Sequence, residues 1–145
     1  MTTSIYETIM TNFDTRLKTI LTSGGYQTNA GSNVFEWREE PLPETELPAF
    51  ENREILEAPN DDTLQTWMHT LTIRIRASAI SIAQARQILA DVIQAVGTDT
   101  TFSQAGLITR FGGAETEVRH EEKKYFSMMI IMNLFFNTTE WSLYG

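Results

Sequence analysis

Apolar positions recur along this chain with two different periods, and the periods mark its elements. Ile5, Ile9, Phe13, Leu17, Ile20 and Leu21 are spaced by three and four, which is one stripe of a helix. Ser4-Ile5-Tyr6-Glu7 ahead of it has capping-box spacing, and Gly24-Gly25 is expected to stop it. From Thr66 to Ala77 the period drops to two. Trp67, His69, Leu71, Ile73, Ile75 and Ala77 form one set, expected to face a core, and Met68, Thr70, Thr72, Arg74 and Arg76 form the other. Ser81-Ile82-Ala83-Gln84 is a second capping box, leading a helix whose stripe is Ala85, Ile88, Leu89, Val92, Ile93 and Val96, with Gly97 at its end.

Weaker patterns fill the gaps. Val34 to Trp37 reads as a short strand and Ala49 to Leu56 as another. Between them, Pro41, Pro43 and Pro48 alternate with Glu39, Glu40, Glu44 and Glu46, an extended acidic loop without regular hydrogen bonding. Pro59-Asn60-Asp61-Asp62 reads as a turn or loop tip, and Leu107 to Phe111 as a strand that Gly112-Gly113 turns or bulges. The charged segment Glu115 to Lys124 then feeds the last apolar run, Tyr125 to Phe136.

That last run has no polar face. As a strand it puts Phe126, Met128, Ile130, Met132, Leu134 and Phe136 on one side, and Tyr125, Ser127, Met129, Ile131, Asn133 and Phe135 on the other. A helix over the same residues is the alternative, but Ile130-Ile131 and Phe135-Phe136 favour a strand. The order helix, strands, helix, strands, with short loops, predicts an α+β fold: a mixed, mainly antiparallel sheet with two helices packed on one face. The helices cover one side of the sheet, so the surplus apolar side of the last strand is left for a neighbour.

Composition narrows what that neighbour is. At 145 residues the chain is expected to form a single domain, residues 1–145, with 41% hydrophobic and 21% charged residues, the balance of a folded globular protein. The start Met1-Thr2-Thr3-Ser4 has no basic-then-apolar pattern, so no signal peptide is expected. The C-terminal run, broken by Ser127 and Asn133, is shorter than the roughly 20 residues a membrane helix needs, so no membrane partner is expected. No cysteine is present, which removes disulfides, thiolate metal sites and a cysteine nucleophile. A net charge of −8 disfavours duplex DNA as a specific partner. Arg74, Arg76, Arg110, Arg119, Lys123 and Lys124 read as solvated sheet positions with ordinary ion pairs rather than a binding stripe.

Catalytic chemistry finds little support. His69 falls mid-strand on the inward set, where a core histidine bonded to backbone or a carboxylate is expected. His120, near Glu115 and Glu117, has no spacing of a known metal-ligand set, so neither metal nor other cofactor is expected. The glycine pairs lack phosphate-loop spacing, and no serine sits in a nucleophile elbow. Trp141 and Tyr144 read as anchors that dock the tail.

Taken in order, the capped N-terminal helix, the acidic section Pro41 to Pro48, the unit Leu71 to Ala77 followed by Ala85 to Gly97, the segment Gly97-Thr98-Asp99-Thr100-Thr101-Phe102, and an apolar strand followed by Asn137-Thr138-Thr139-Glu140-Trp141 resemble the tail terminator (minor tail) proteins of long-tailed bacteriophages and related prophages. The resemblance is one of layout over nearly the whole chain. It implies a virion structural protein, assembled in the bacterial cytoplasm and located in the tail. Such a protein closes the finished tail tube as a ring, typically a hexamer, and presents a surface to the head–tail connector. Its partners are then its own copies, the tail tube protein and the connector protein, and no catalytic residue is implied. In a ring, each subunit meets its neighbours through two different patches. Met129, Ile131 and Phe135 are the expected apolar contact, with Arg74 and Arg76 of one copy meeting Glu115 or Glu117 of the next. The acidic section Glu39 to Glu51 is expected to order on contact with tube or connector. A tail tube or connector subunit is an alternative with the same assembly physics. A small metal-dependent enzyme, with a pocket around His69 or around His120, Glu115 and Glu117, is the alternative from another class.

Overall fold

A computed structural model describes residues 3–38, 44–63, 65–120 and 124–144, with the backbone alone at 44, 61–63, 119–120 and 124–125. The elements are α1 (Ile5–Lys18), β1 (Val34–Glu36), β2 (Ala49–Leu56), β3 (Asn60–Thr63), β4 (Thr66–Ala79), α2 (Ile82–Gly97), β5 (Ile108–His120) and β6 (Lys124–Thr139). The strands form one sheet in the order β1-β2-β4-β6-β5, with β3 pairing against the end of β4. Only β1 and β2 run parallel among the described pairs. The expected α+β fold is therefore the observed one.

The last apolar run sits at the centre of this sheet. β6 pairs with β4 without interruption from Thr66↔Thr139 to Ala79↔Phe126, and with β5 on its other side. Both helices lie on the face that carries Phe50, Leu71, Ile73, Ile75, Ala77, Met128, Ile130, Met132 and Leu134, all buried. Ile9, Phe13 and Leu17 of α1 and Ala85, Ile88 and Val92 of α2 close the core over them. Each fully buried aliphatic or aromatic side chain is worth roughly 1.5–3 kcal/mol, so this single face supplies most of the driving force for folding.

The hydroxyl half of each capping box forms, but neither return bond to the cap residue's own N–H does: Glu7 Oε1 accepts from the Thr11 hydroxyl instead. The Glu7 N–H donates to Ser4 Oγ at 3.0 Å and the Gln84 N–H to Ser81 Oγ at 3.1 Å, while Gln84 Oε1 accepts from the Ile80 N–H at 3.1 Å. The first helix, however, stops at Lys18, well before Gly24-Gly25. Local bonds close it, and a returning segment packs on the end. Thr19 Oγ1 donates to the Arg16 carbonyl at 2.6 Å, and the chain returns so that the Gly31 N–H donates to the Ile20 carbonyl at 2.9 Å. Ile20 stays buried, so the apolar stripe outlasts the helix. Gly24 closes a 3-10 turn, and Gly25 follows in a left-handed conformation at φ 93°.

Other expectations are corrected in the sheet. Asn60–Thr63 is a strand, not a turn: it extends the β2–β4 hairpin, and Pro59, which lacks an N–H, marks the break between β2 and β3. Gly112-Gly113 bulges rather than turns, shifting the pairing from Phe111↔Met132 to Ala114↔Ile130, with Gly113 at φ 103°. Glu115 to His120 is accordingly the second half of β5, not a connecting segment. Ile93 is 45% exposed, turned away from the α2 stripe, and Asp91 is buried in its place. The acidic loop is described only in part. Glu44–Glu46 form a 3-10 turn, and residues 39–43, with Pro41 and Pro43, lie outside the described residues.

Candidate functional site

The pairing registers place every residue expected at a subunit contact on one surface, the face of the sheet opposite the helices. Arg76 pairs with Met129, which pairs in turn with Glu115; Arg74 pairs with Ile131; Thr70 pairs with Phe135; Glu117 pairs with Ser127. Directly opposite residues in an antiparallel pair share a face, so these rows cross the sheet side by side. The seam down β6 is Met129, Ile131, Asn133 and Phe135, each half-buried with no helix above it. Ile131 packs over the bulge, where the missing side chain of Gly112 makes room for it: a Cβ there would come 2.8 Å from its Cγ2. Ile55, Met68 and Ile108 extend the apolar area, at 48%, 42% and 53% exposure. Thr72 Oγ1 donates to Asn133 Oδ1 at 3.0 Å across the seam.

Charge divides this face along β6. The β2–β4 side carries Arg53, Arg74 and Arg76, and the β5 side carries Glu115 and Glu117 below Arg110. Arg53 and Arg74 stand directly opposite each other, a like-charge pair that disfavours the isolated sheet. Arg53 donates from Nε to Glu51 Oε1 at 2.6 Å and lies over the Trp37 ring at 5.4 Å. Glu51 is also the cross-strand partner of Arg76, but its bond goes to Arg53, and the Arg76 Nε is buried without an acceptor. Among the described residues Arg74, Arg76 and Arg110 make no ion pair and no side-chain hydrogen bond, in contrast to the ordinary ion pairs expected of them. Arg119, Lys123 and Lys124 have no described side chain.

These groups surround a groove of about 290 Å³ lined by Trp37, Glu51, Arg53, Arg74, Arg76 and Met129. Its wall depends on Trp37, which follows β1 at φ 48° and donates from Nε1 to Glu54 Oε2 at 2.6 Å. A second depression, of about 440 Å³, lies at the opposite end of the same face, beside Pro59, Met68, Thr70 and Phe135. The sequence pattern singled out neither Trp37 nor Arg53. The alternation of Glu51, Arg53 and Ile55 along β2 is the signal that would have placed Arg53 here.

The candidate chemical groups have structural partners instead. His69 is 1% exposed, stacks on Phe136 at 4.8 Å, and shares a 2.7 Å hydrogen bond between Nε2 and Thr138 Oγ1, a hydroxyl rather than the expected backbone or carboxylate. Burial pushes its pKa below the ordinary 6.5, so the folded state holds it neutral. Its stabilising contribution is thus complete above the unfolded value and is lost as pH falls through the folded one. Thermal unfolding should show this as a difference between proteins: on acidification from about pH 7 to about pH 5 the wild type loses stability relative to His69→Gln, whatever slope other groups impose on both.

Glu36 is raised to about 7, first because its carboxyl hydrogen-bonds to that of Asp14 and then by burial. The Asn52 side chain donates to Asp14 Oδ1 at 2.6 Å, fastening α1 to β2 at the same point. Tyr6 donates to Glu54 Oε1 at 3.0 Å, and burial foremost, then Glu54, raises the phenol. The His120 side chain lies outside the described residues, and among the described residues no cluster of three or more histidines and carboxylates is placed to hold a metal. Among the described residues, no helix is long and apolar enough to cross a membrane.

At the C-terminus, the Leu143 carbonyl accepts from the Ile5 N–H at 2.7 Å. The tail therefore docks through its backbone. Trp141 contacts Trp67 at 4.9 Å yet remains 86% exposed, and Tyr144 is 64% exposed, so neither ring is a buried anchor.

In comparisons with known proteins, no family model matches this chain and no curated protein matches it.

Proposed function

We propose that this chain is a non-catalytic structural subunit that assembles with its own copies through the open sheet face, and that the assembly is the ring closing the tail tube of a long-tailed phage or prophage. One observation carries the assembly reading: the central strand β6 presents half-buried Met129, Ile131 and Phe135 on a face that no helix covers. An exposed, contiguous apolar strip with unpaired arginines beside it is costly for an isolated subunit and useful to an assembling one. Dividing the charge into an arginine side and a glutamate side gives the face two complementary patches that neighbouring copies can match, and the ring itself comes from the layout resemblance. The layout resemblance supplies the tail, the tube and connector as partners, and a place in the virion tail after assembly in the host cytoplasm.

Electron microscopy of the purified protein mixed with tail tubes tests the reading. Discrete rings, hexameric by the resemblance, seated at one end of tubes that then stop elongating are the expected outcome. Long stacks of this chain would instead make it a tube subunit. A protein that forms no ring and caps no tube would overturn the proposal.

A further inference from the structure

The geometry points to the arginine groove as the receiving half of the subunit contact, and to the β5 glutamates Glu115 and Glu117 of a second copy as what enters it; this rests on the assembly proposed above. The groove is built for a carboxylate. Arg53, Arg74 and Arg76 line it, and the two carboxylates that share the lining are already engaged: Glu51 by Arg53 at 2.6 Å, and Glu54 by Trp37 at 2.6 Å and Tyr6 at 3.0 Å. Arg76 keeps a buried Nε with no acceptor, which costs free energy until a partner supplies one. A guanidinium accepts a carboxylate in a bidentate fork, and Arg74, directly opposite Arg53, gains most from an incoming negative charge.

The same face also supplies that carboxylate. Glu115 is exposed on the edge strand β5, on the same face as the groove but across the β6 seam from it. Glu115 and Arg76 share one row through Met129, about two strand spacings (~10 Å) apart. Met129 stands between them, and no ion pair joins them within the subunit among the described residues. One copy therefore carries an acceptor and a donor on opposite sides of its own apolar seam, so a neighbouring copy can supply to each the partner it lacks. A polyanion is the poorer occupant. A groove of about 290 Å³ holds one or two side chains rather than a phosphate backbone, and the chain's net charge of −8 repels nucleic acid.

A charge-swap experiment on the full chain tests the pairing, with assembly read by light scattering and folding by circular dichroism. Arg74→Glu with Arg76→Glu, and separately Glu115→Lys with Glu117→Lys, should each lower the assembly constant at least tenfold. The chain carrying all of these changes should regain most of the loss. Because Arg76 is partly buried, the pair Arg74→Glu and Glu115→Lys is run alongside on exposed positions alone, and the same loss and rescue are expected. Variants that remain folded and assemble like the wild type, or losses that the combined chain does not restore, would overturn the pairing while leaving assembly itself standing. A wild-type chain that never assembles would instead overturn the function proposed above.

Discussion

Replacing Asp91 by alanine is expected to destabilise the fold by about 3 kcal/mol, because a buried carboxylate with several donors would be lost at once. Asp91 is 1% exposed in the middle of the apolar stripe of α2. Its Oδ1 accepts from the Gln27 N–H at 3.1 Å, and its Oδ2 accepts from the Thr28 N–H at 2.9 Å and the Thr28 hydroxyl at 2.7 Å. Alanine leaves those donors buried with nothing to meet. Asparagine fares little better, since one of its two polar atoms is itself a donor facing donors. Urea unfolding of both variants checks this, and a loss below about 0.5 kcal/mol for alanine would show that water replaces the carboxylate without penalty.

Gly31→Ala is the second large effect, about 2–4 kcal/mol, and its cause is close approach of backbone rather than backbone conformation. A Cβ at this position would stand 2.5 Å from the Leu17 carbonyl oxygen, 2.8 Å from that of Ile20 and 2.9 Å from the Ile20 nitrogen. All are main-chain atoms at the end of α1, so no side chain can step aside. The shift would also break the Gly31 N–H bond to Ile20 at the end of the helix. Gly97→Ala is the matched control. Nothing lies within 4 Å of its Cβ, it ends α2 in helical conformation, and alanine there should be neutral or slightly stabilising. Equal melting temperatures for the two variants would contradict this account of how α1 ends.

Much of the fold was legible because periodicity reports burial directly. The β4 alternation separated Leu71, Ile73 and Ile75 from Thr72, Arg74 and Arg76, and the registers keep that division across β6. The caps at Ser4 and Ser81 were legible because they are local, a hydroxyl and a backbone donor three residues apart. What sequence reasoning missed is non-local. Helix α1 stops at Lys18, where Thr19 and Ile20 bond back to the Arg16 and Leu17 carbonyls, and Gly31 then packs on that end and bonds to Ile20, a contact that spacing near Gly24 does not announce. Asn60–Thr63 becomes a strand through pairing with β4, although its own residues favour a turn.

The surface expected at the subunit contact was legible for a different reason. A strand apolar on both sides, in a fold with two helices, leaves one face uncovered, and the register then carries Arg74, Arg76, Glu115, Glu117, Met129, Ile131 and Phe135 onto it together. The groove was not legible. It depends on Trp37 bending out of β1 at φ 48° and on Arg53 taking Glu51 away from Arg76.

Whether the open face is where copies meet is tested most directly by Met129→Glu. Met129 stands between Arg76 and Glu115, so the new carboxylate meets one opposite and one like charge within the folded subunit and the melting temperature should change little. The same carboxylate puts charge into the apolar seam and fills the arginine groove from within. Light scattering across a range of concentrations, alone and with tail tubes added, should then give a ring for the wild type and a monomer for Met129→Glu. A Met129→Glu protein that assembles as the wild type does would contradict the account.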